Sequence, residues 1–377
     1  MIEILVICSI VVYALRTFVM VWGSWRERQL GKPSANDTVP MVSIVIPARN
    51  EEQRIRRCLE SLLRLDYPRE CLEIIVVNDR SSDRTAEIVA SYQAQLPVLR
   101  LVTIDASNEG NLRGKAGALD VGIATARGTI ILLTDADCAV HPRWVRAHVA
   151  QYRDGMVAMV CAYTLIAGTD AFARYQAVEW NTTHTMASAG VFFRQYLGCF
   201  GNNMSIRRDV YDTIGGYRAI PFSVTEDLAL LQAVGKHGHT IRYLCSAESS
   251  VETEPCQTIR EYIRQHQRWV HGGRQLGWRA YVFVATTSLY WLGIIASLSV
   301  HAWGWLLAIL GMRILADLAL NIPPLRILGR AWLIPAVVPT TLAFGVLEVL
   351  LPLLALSRSI RWKDQVFVTA RSSHRRG

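Results

Sequence analysis

Between Tyr281 and Gly311 the chain carries no charged residue. That run is too long for one ordinary membrane-crossing helix, and it is rich in Trp and Tyr, which favour membrane–water boundaries. A break near Ser299–Trp303 predicts two helices, about 281–299 and 303–320. The second holds Arg313 and Asp317, an i, i+4 pair able to neutralise itself inside a bundle. A third segment, 332–356, contains Pro335, Pro339, Pro352 and Glu348. Membrane helices tolerate such prolines when neighbours satisfy the freed backbone. At the other end, residues 4–22 are apolar apart from Arg16. A signal peptide would have a shorter apolar core and a small-residue cleavage site. Here Arg26, Arg28 and Lys32 follow instead, which reads as a retained membrane helix whose C-terminal end is cytoplasmic. A buried core helix is the weaker alternative.

These segments do not give a closed topology. A cytosolic middle region followed by three spans would put the C-terminal tail outside. Yet Arg358, Arg361, Lys363, Arg371, Arg375 and Arg376 in that tail belong in the cytoplasm by the positive-inside rule. One segment, 303–320 or the N-terminal one, would then lie in the interface, leaving three or four helices.

Composition agrees with a membrane setting. Of 377 residues, 51% are hydrophobic and 19% charged, against about 25% charged in an average soluble domain. Mean hydropathy is +0.22. A disordered chain needs the opposite balance, and a plain cytosolic enzyme fits poorly. Lys and Arg number 40 against 31 Asp and Glu, a net +9. Such an excess suits nucleic acid or an anionic bilayer surface; the apolar content selects the bilayer, with no nucleic acid partner expected. The eight cysteines include no C-x-x-C pair and no zinc spacing with His. They read as small hydrophobes in a reducing compartment.

Residues 42–250 are of ordinary polarity. VSIVI (42–46), LEIIVVN (72–78), VLRLVTI (98–104) and TIILLT (129–134) are apolar runs of strand length. Helical patterns alternate with them: Ile55, Leu59, Leu62 and Leu63 share one face behind a potential Asn50 cap. Ile88, Val89 and Tyr92 follow Ser81 and Ser82, and Ala116, Leu119 and Ile123 align within 115–126. Such alternation implies an α/β fold with a parallel sheet covered on both faces. Ligands then bind at the carboxyl ends of the strands, where Pro47–Glu51, Asp79 and Asp135–Asp137 all fall. No G-x-G-x-x-G follows the first strand and no P-loop motif occurs, so oxidoreductase and P-loop readings are weak.

Asp135 and Asp137 together suit a divalent cation, Mg²⁺ or Mn²⁺, which takes a few carboxylate oxygens and leaves other positions to phosphates. Asp-x-Asp is also common in solvated turns. Thr225-Glu226-Asp227 opens a helix, where acidic residues complement the dipole in any case. Gln265-His266-Gln267-Arg268-Trp269 lies in a segment, 257–279, with five Arg and one Glu. That segment also reads as an interfacial basic helix with a snorkelling Arg and a Trp anchor.

In order, P-A-R-N-E, V-N-D, a Lys before A-L, D-A-D, G-N-N-M-S-I-R-R, T-E-D and Q-x-x-R-W resemble the membrane-bound family 2 glycosyltransferases. The resemblance covers roughly residues 40–280 and the flanking apolar helices. It implies a GT-A fold, a Rossmann-like, mixed and mostly parallel sheet flanked by transmembrane helices. By this resemblance Asp79 contacts the uracil base, while Pro47, Arg49 and Glu51 belong to the loop beneath the nucleotide. Lys115 reaches the nucleotide, and Asp135 and Asp137 bind the metal and diphosphate. Asp227, beside Glu226, is the general base; Gln265, Arg268 and Trp269 hold the diphosphate and frame the acceptor. Asn78-Asp79-Arg80 departs from the commoner D-D-G, and Cys199–Gly201 matches the family's acceptor loop only loosely.

The expected organisation is an N-terminal transmembrane helix (1–24), a cytosolic GT-A domain (40–256), an interfacial segment (257–279), two or three C-terminal transmembrane helices (280–357) and a basic tail (358–377). The expected activity is inverting transfer of a sugar, glucose as first choice, from a UDP-sugar to the hydroxyl of a lipid-soluble acceptor such as a glycolipid, sterol or carotenoid. A processive polysaccharide synthase is the alternative, although a secretion channel usually needs more helices. A non-catalytic nucleotide-binding membrane protein, a transporter and a nucleotidyltransferase fit less well.

Overall fold

A computed structural model of the chain describes residues 2–31, 39–104, 114–354, 359–362 and 365–368. Its strands are β1 (Val42–Ala48), β2 (Leu72–Asp79), β3 (Leu99–Ile104), β4 (Ile130–Leu133), β5 (Ala139–Val140), β6 (Val157–Ala162), β7 (Thr164–Ile166), β8 (Met204–Arg207), β9 (Thr240–Leu244) and β10 (Val251–Thr253). The helices are α1 (Ile2–Leu30), α2 (Ile55–Leu63), α3 (Thr85–Tyr92), α4 (Gly114–Thr125), α5 (Trp144–Val149), α6 (Ala171–Phe192), α7 (Arg208–Thr213), α8 (Gly216–Ala219), α9 (Glu226–Lys236), α10 (Ile259–Gly273), α11 (Trp278–Ser299), α12 (Trp303–Ile327) and α13 (Val337–Leu354).

Seven strands form one sheet in the order β3-β2-β1-β4-β8-β6-β9. β1 pairs parallel with β2 and β4, β2 with β3, and β6 with β9, while β8 runs antiparallel to both its neighbours. This is the mixed, mostly parallel GT-A sheet expected from the sequence. Its innermost strands are apolar on both faces because helices cover both: Val45 and Val77 pack towards α4, Ile44 and Ile74 towards α2 and α3.

One local reading changes. Asn50 does not cap α2, which starts at Ile55 with Arg54 before it and no side-chain cap. Asn50 instead adopts a φ of 53°, and its Oδ1 accepts the Ser82 N–H at 2.9 Å, tying the loops after β1 and β2 together. Asn tolerates this left-handed conformation well. The strands beyond Thr134 and the helix α6 carry no clear pattern in the sequence. That helix is capped by Asp170, whose Oδ1 accepts from Phe172 N–H at 2.9 Å and Ala173 N–H at 3.0 Å.

Four described helices are long and apolar enough to cross a membrane: α1, α11, α12, and the stretch Ala331–Leu350 that includes most of α13. α1 and α11 run antiparallel, with Tyr13 beside Tyr290 (ring centroids 5.3 Å apart) and Arg16 Nη1 donating to Thr286 Oγ1 at 2.9 Å. Ile309 and Ala316 of α12 join the same core, so α1 and α12 both pack on α11. The expected Arg313–Asp317 pair is loose, at 3.8 Å; Arg313 Nη1 lies closer to Glu348 of α13, at 2.6 Å.

The bundle is fastened to the sheet domain. Gly23 of α1 packs so closely on α6 that an added Cβ would lie 2.5 Å from the Phe193 ring. Further on, Glu27 Oε1 accepts the Tyr243 N–H of β9 at 3.0 Å. Arg330, after α12, pairs with Glu252 of β10, which also pairs with Arg57 of α2. In the tail, 359–362 and 365–368 form an antiparallel hairpin. Arg358, Lys363, Arg371, Arg375 and Arg376 lie outside the described residues.

Candidate active site

A cavity of about 480 Å³ opens at the carboxyl ends of β1, β2 and β4. Pro47, Arg49 and Glu51 come from the end of β1 and its loop, Asp79 from the end of β2, and Asp135 and Asp137 from the turn after β4. Lys115 of α4, Glu226 and Asp227 of α9, and Gln265, Arg268 and Trp269 of α10 close the other sides. The structure therefore brings every residue singled out from the sequence to one cavity.

Lys115 organises the centre. Its Nζ lies 2.7 and 2.9 Å from the two Asp135 carboxylate oxygens and 3.2 Å from Glu226 Oε1. Burial works against its charge, but Asp135 and Glu226 outweigh burial and keep it protonated. Asp227 is held by two backbone donors: Gly201 N–H to Oδ2 at 2.8 Å and Leu228 N–H to Oδ1 at 2.7 Å. Burial and the neighbouring Glu226 nevertheless push its pKa up to about 7. A half-buried carboxylate poised near neutrality can take a proton at physiological pH.

Gly201 makes this arrangement possible. A Cβ there would lie 3.1 Å from Asp227 Cβ and 3.2 Å from Lys115 Nζ. The stretch 199–201, a loose match in the sequence, thus contributes directly to the site. Gly272 plays a similar part on α10, where a Cβ would fall 2.1 Å from Thr225 Oγ1. The helix of Q-x-x-R-W therefore rests against the T-E-D turn.

Asp79 is almost fully buried at the β2 end and carries two arginine partners. Arg80 Nε donates to its Oδ1 at 2.8 Å, and Arg49 Nη1 lies 3.9 Å from Oδ2. Arg80 itself has a φ of 54°, the conformation a glycine adopts without a Cβ penalty. The departure from D-D-G thus keeps the backbone turn and adds a guanidinium folded back on Asp79.

Residues missed in the sequence complete the wall around Trp269. Trp180 of α6 stacks on Phe200 with centroids 4.5 Å apart, and Trp269 meets both edge-on at 5.5 and 5.6 Å. Glu179, one residue before Trp180, is buried and accepts from Tyr262 Oη at 2.8 Å and pairs with His266 Nε2. Both partners lie on α10, so Glu179 fixes the helix that presents Arg268 and Trp269. Apolar and polar residues alternate within α6 without motif spacing, which left no signal to find them by.

The donor set fits a hard divalent cation. Asp135 and Asp137 offer two carboxylates, and burial together with the Asp135 charge holds Asp137 above the usual carboxylate range, a repulsion that a cation would relieve. Among the described residues no group of three His, Cys, Asp or Glu is placed to hold a metal, so the remaining ligands would be diphosphate oxygens and water. Arg268 is half-buried in the cavity wall with no ion pair among the described residues, and its partial desolvation lowers its pKa. An anion beside it would supply the missing charge.

The model of the family described as glycosyltransferase like family 2 matches residues 40–272, which include the whole site. The chain belongs to glycosyltransferase family 2. A curated relative, the probable glycosyltransferase YdaM of Bacillus subtilis, is 32% identical over 66% of this chain and 57% of its own length. The beta-monoglucosyldiacylglycerol synthase of Synechocystis is 28% identical over 67% of this chain and 52% of its own. The family 2 chain thus spans about half the length of the curated relatives it matches. Among solved structures, the mannosyltransferase PcManGT of Pyrobaculum calidifontis, in complex with GDP-Man and Mn²⁺, superposes with a TM-score of 0.57. It is 21% identical, covering 92% of this chain and 99% of that one, and it supports the GT-A fold.

Proposed function

We propose that this family 2 chain is an inverting glycosyltransferase that moves a sugar, glucose first, from a UDP-sugar to a hydroxyl of a membrane lipid. The observation that carries this reading is the convergence on one cavity of a poised carboxylate (Asp227), an Asp-x-Asp turn (Asp135 and Asp137) and a half-buried guanidinium (Arg268) with no ion pair among the described residues. The name of the cyanobacterial relatives, glucosyldiacylglycerol synthase, supports glucose and a glycerolipid.

In this reading Asp79 and the Pro47–Glu51 loop seat the nucleotide, and Lys115 holds Asp135 in place. The acceptor oxygen attacks the anomeric carbon while the bond from that carbon to the diphosphate oxygen breaks. Asp227 takes the acceptor proton, a contribution of roughly 10²–10⁴-fold, and the nucleotide diphosphate leaves with the bonding electrons. Arg268 meets the charge that develops on the leaving group. A divalent cation bound at Asp135 and Asp137 would neutralise that charge further. In this reading Asp227 acts as the base and no carboxylate serves as a nucleophile, which gives a single displacement, hence inversion. In this reading the protein is multi-pass with its catalytic domain on the cytoplasmic side of the bilayer, and the four helices long and apolar enough to cross a membrane support it.

Membranes containing the chain, incubated with labelled UDP-glucose and Mn²⁺ and then extracted with organic solvent, test the reading. Label in a small lipid is expected. Label in insoluble polymer would favour a processive synthase, and nucleotide binding without any release of UDP would favour a non-catalytic role.

A further inference from the structure

A second cavity, of about 1000 Å³, lies among the apolar helices. α6 and α10 are common to both cavities: Trp180 and Trp269 line the first, Glu179 and Val270 the second. The rim of the second cavity is apolar and open to the surroundings. Val284, Leu292 and Ile295 of α11 and Val349 of α13 all line it and are all exposed. Within a bilayer these side chains meet acyl chains, so the cavity opens sideways into lipid.

Its interior is less apolar than its rim. Thr182 and Thr183 of α6, Thr287 and Ser288 of α11, and Thr340 and Thr341 of α13 place hydroxyls along the walls. Charged groups also face it. Arg16 and Arg313 stand against Glu179, Asp317 and Glu348. Arg313 is committed to Glu348 at 2.6 Å, with Asp317 at 3.8 Å. Arg16 donates to Thr286 and lies 4.2 Å from the Tyr13 ring centroid. Ionisable groups at membrane depth are costly and usually serve function. Three carboxylates line the chamber against two arginines, so an anionic head would add to a lining already short of positive charge in a medium of low dielectric. A hydroxyl would find partners throughout.

We infer that this chamber seats the acceptor, an uncharged lipid bearing a free hydroxyl, which enters between α11 and α13 and reaches the donor cavity along α6 and α10. The inference rests on the transferase reading and narrows its substrate class, setting neutral lipids apart from isoprenoid phosphates.

The test uses the full chain in phosphatidylcholine nanodiscs with a photoreactive diacylglycerol. Adducts are expected on chamber residues of α11 or α13. Unlabelled diacylglycerol should compete and an isoprenoid monophosphate at equal mole fraction should not. Adducts confined to other surfaces, or equal competition by the phosphate, overturn the proposal. Crosslinking needs no turnover, so it decides the chamber even where no sugar transfer is found, and failure of transfer bears on the proposed function alone. Ser288→Trp, which fills the chamber away from the donor residues, is expected to raise the acceptor KM about tenfold and leave the donor KM within about twofold. An unchanged acceptor KM in a chain that still transfers sugar would contradict it.

Discussion

The two cavities of this chain are built from opposite materials. The donor cavity gathers carboxylates, Asp79, Asp135, Asp137, Glu226 and Asp227 among them, around Lys115 and Arg268 at the ends of apolar strands. The chamber is walled by apolar and hydroxyl side chains of helices, with its charges largely paired. One is suited to a polyanion and a cation, the other to a lipid. In the proposed reading the difference teaches where specificity resides: the sheet domain handles the donor, and the helices choose what receives the sugar.

Substitutions should separate the two. Asp227→Asn is expected to cost roughly 10²–10⁴ in transfer, with UDP-sugar binding by calorimetry and acceptor crosslinking both retained. Near-normal turnover would remove Asp227 from its role as base. Arg268→Ala should cost about 10²–10³ in kcat, again with acceptor crosslinking unchanged; a defect confined to the acceptor KM would move Arg268 to the other side of the comparison. Gly272→Val should disturb both, because its side chain would collide with Thr225 where α10 meets the T-E-D turn. We expect about a tenfold loss in kcat/KM with the fold intact by circular dichroism.

Acidification gives a graded test. Asp227 must be ionised to act, and its pKa is raised to about 7. Transfer measured as kcat/KM should therefore be level above pH 8 and fall about tenfold per pH unit well below 7. A profile flat down to pH 5 would show that another group takes the proton. The smallest effect is expected from Arg80→Gly. It relieves a non-glycine φ of 54° and removes a partner of Asp79. UDP affinity should change by only a few-fold, since a strained position of this kind is worth about 1–2 kcal/mol and the lost ion pair opposes the gain.

The comparison also explains what could be read in advance. At the ends of β1, β2 and β4, polar residues interrupt long apolar runs, so Glu51, Asp79 and Asp137 stand out and their order along the chain carries meaning. The four strands β1 to β4 and the breaks near Ser299–Trp303 were legible for the same reason. β6, β8 and β9 were not, because short runs such as MSIR become strands only through their neighbours in the sheet. Asn50 misled because its side chain bonds across to Ser82 instead of capping α2. The chamber had no signature at all. Leu292 or Ile295 on an apolar helix looks the same whether it faces lipid, a neighbouring helix or a bound molecule. Arg16, Arg313, Asp317 and Glu348 could be noticed singly, but only the packing of α1, α11, α12 and α13 shows that they face one space.

The most direct single measurement is the anomeric configuration of the sugar in the extracted product, read by proton NMR after turnover with α-linked UDP-glucose. One displacement driven by Asp227 onto a lipid hydroxyl gives a β-glucoside in the organic phase. An α-glucoside would require a second nucleophile or a different reaction course, and it would contradict the single-base site described here.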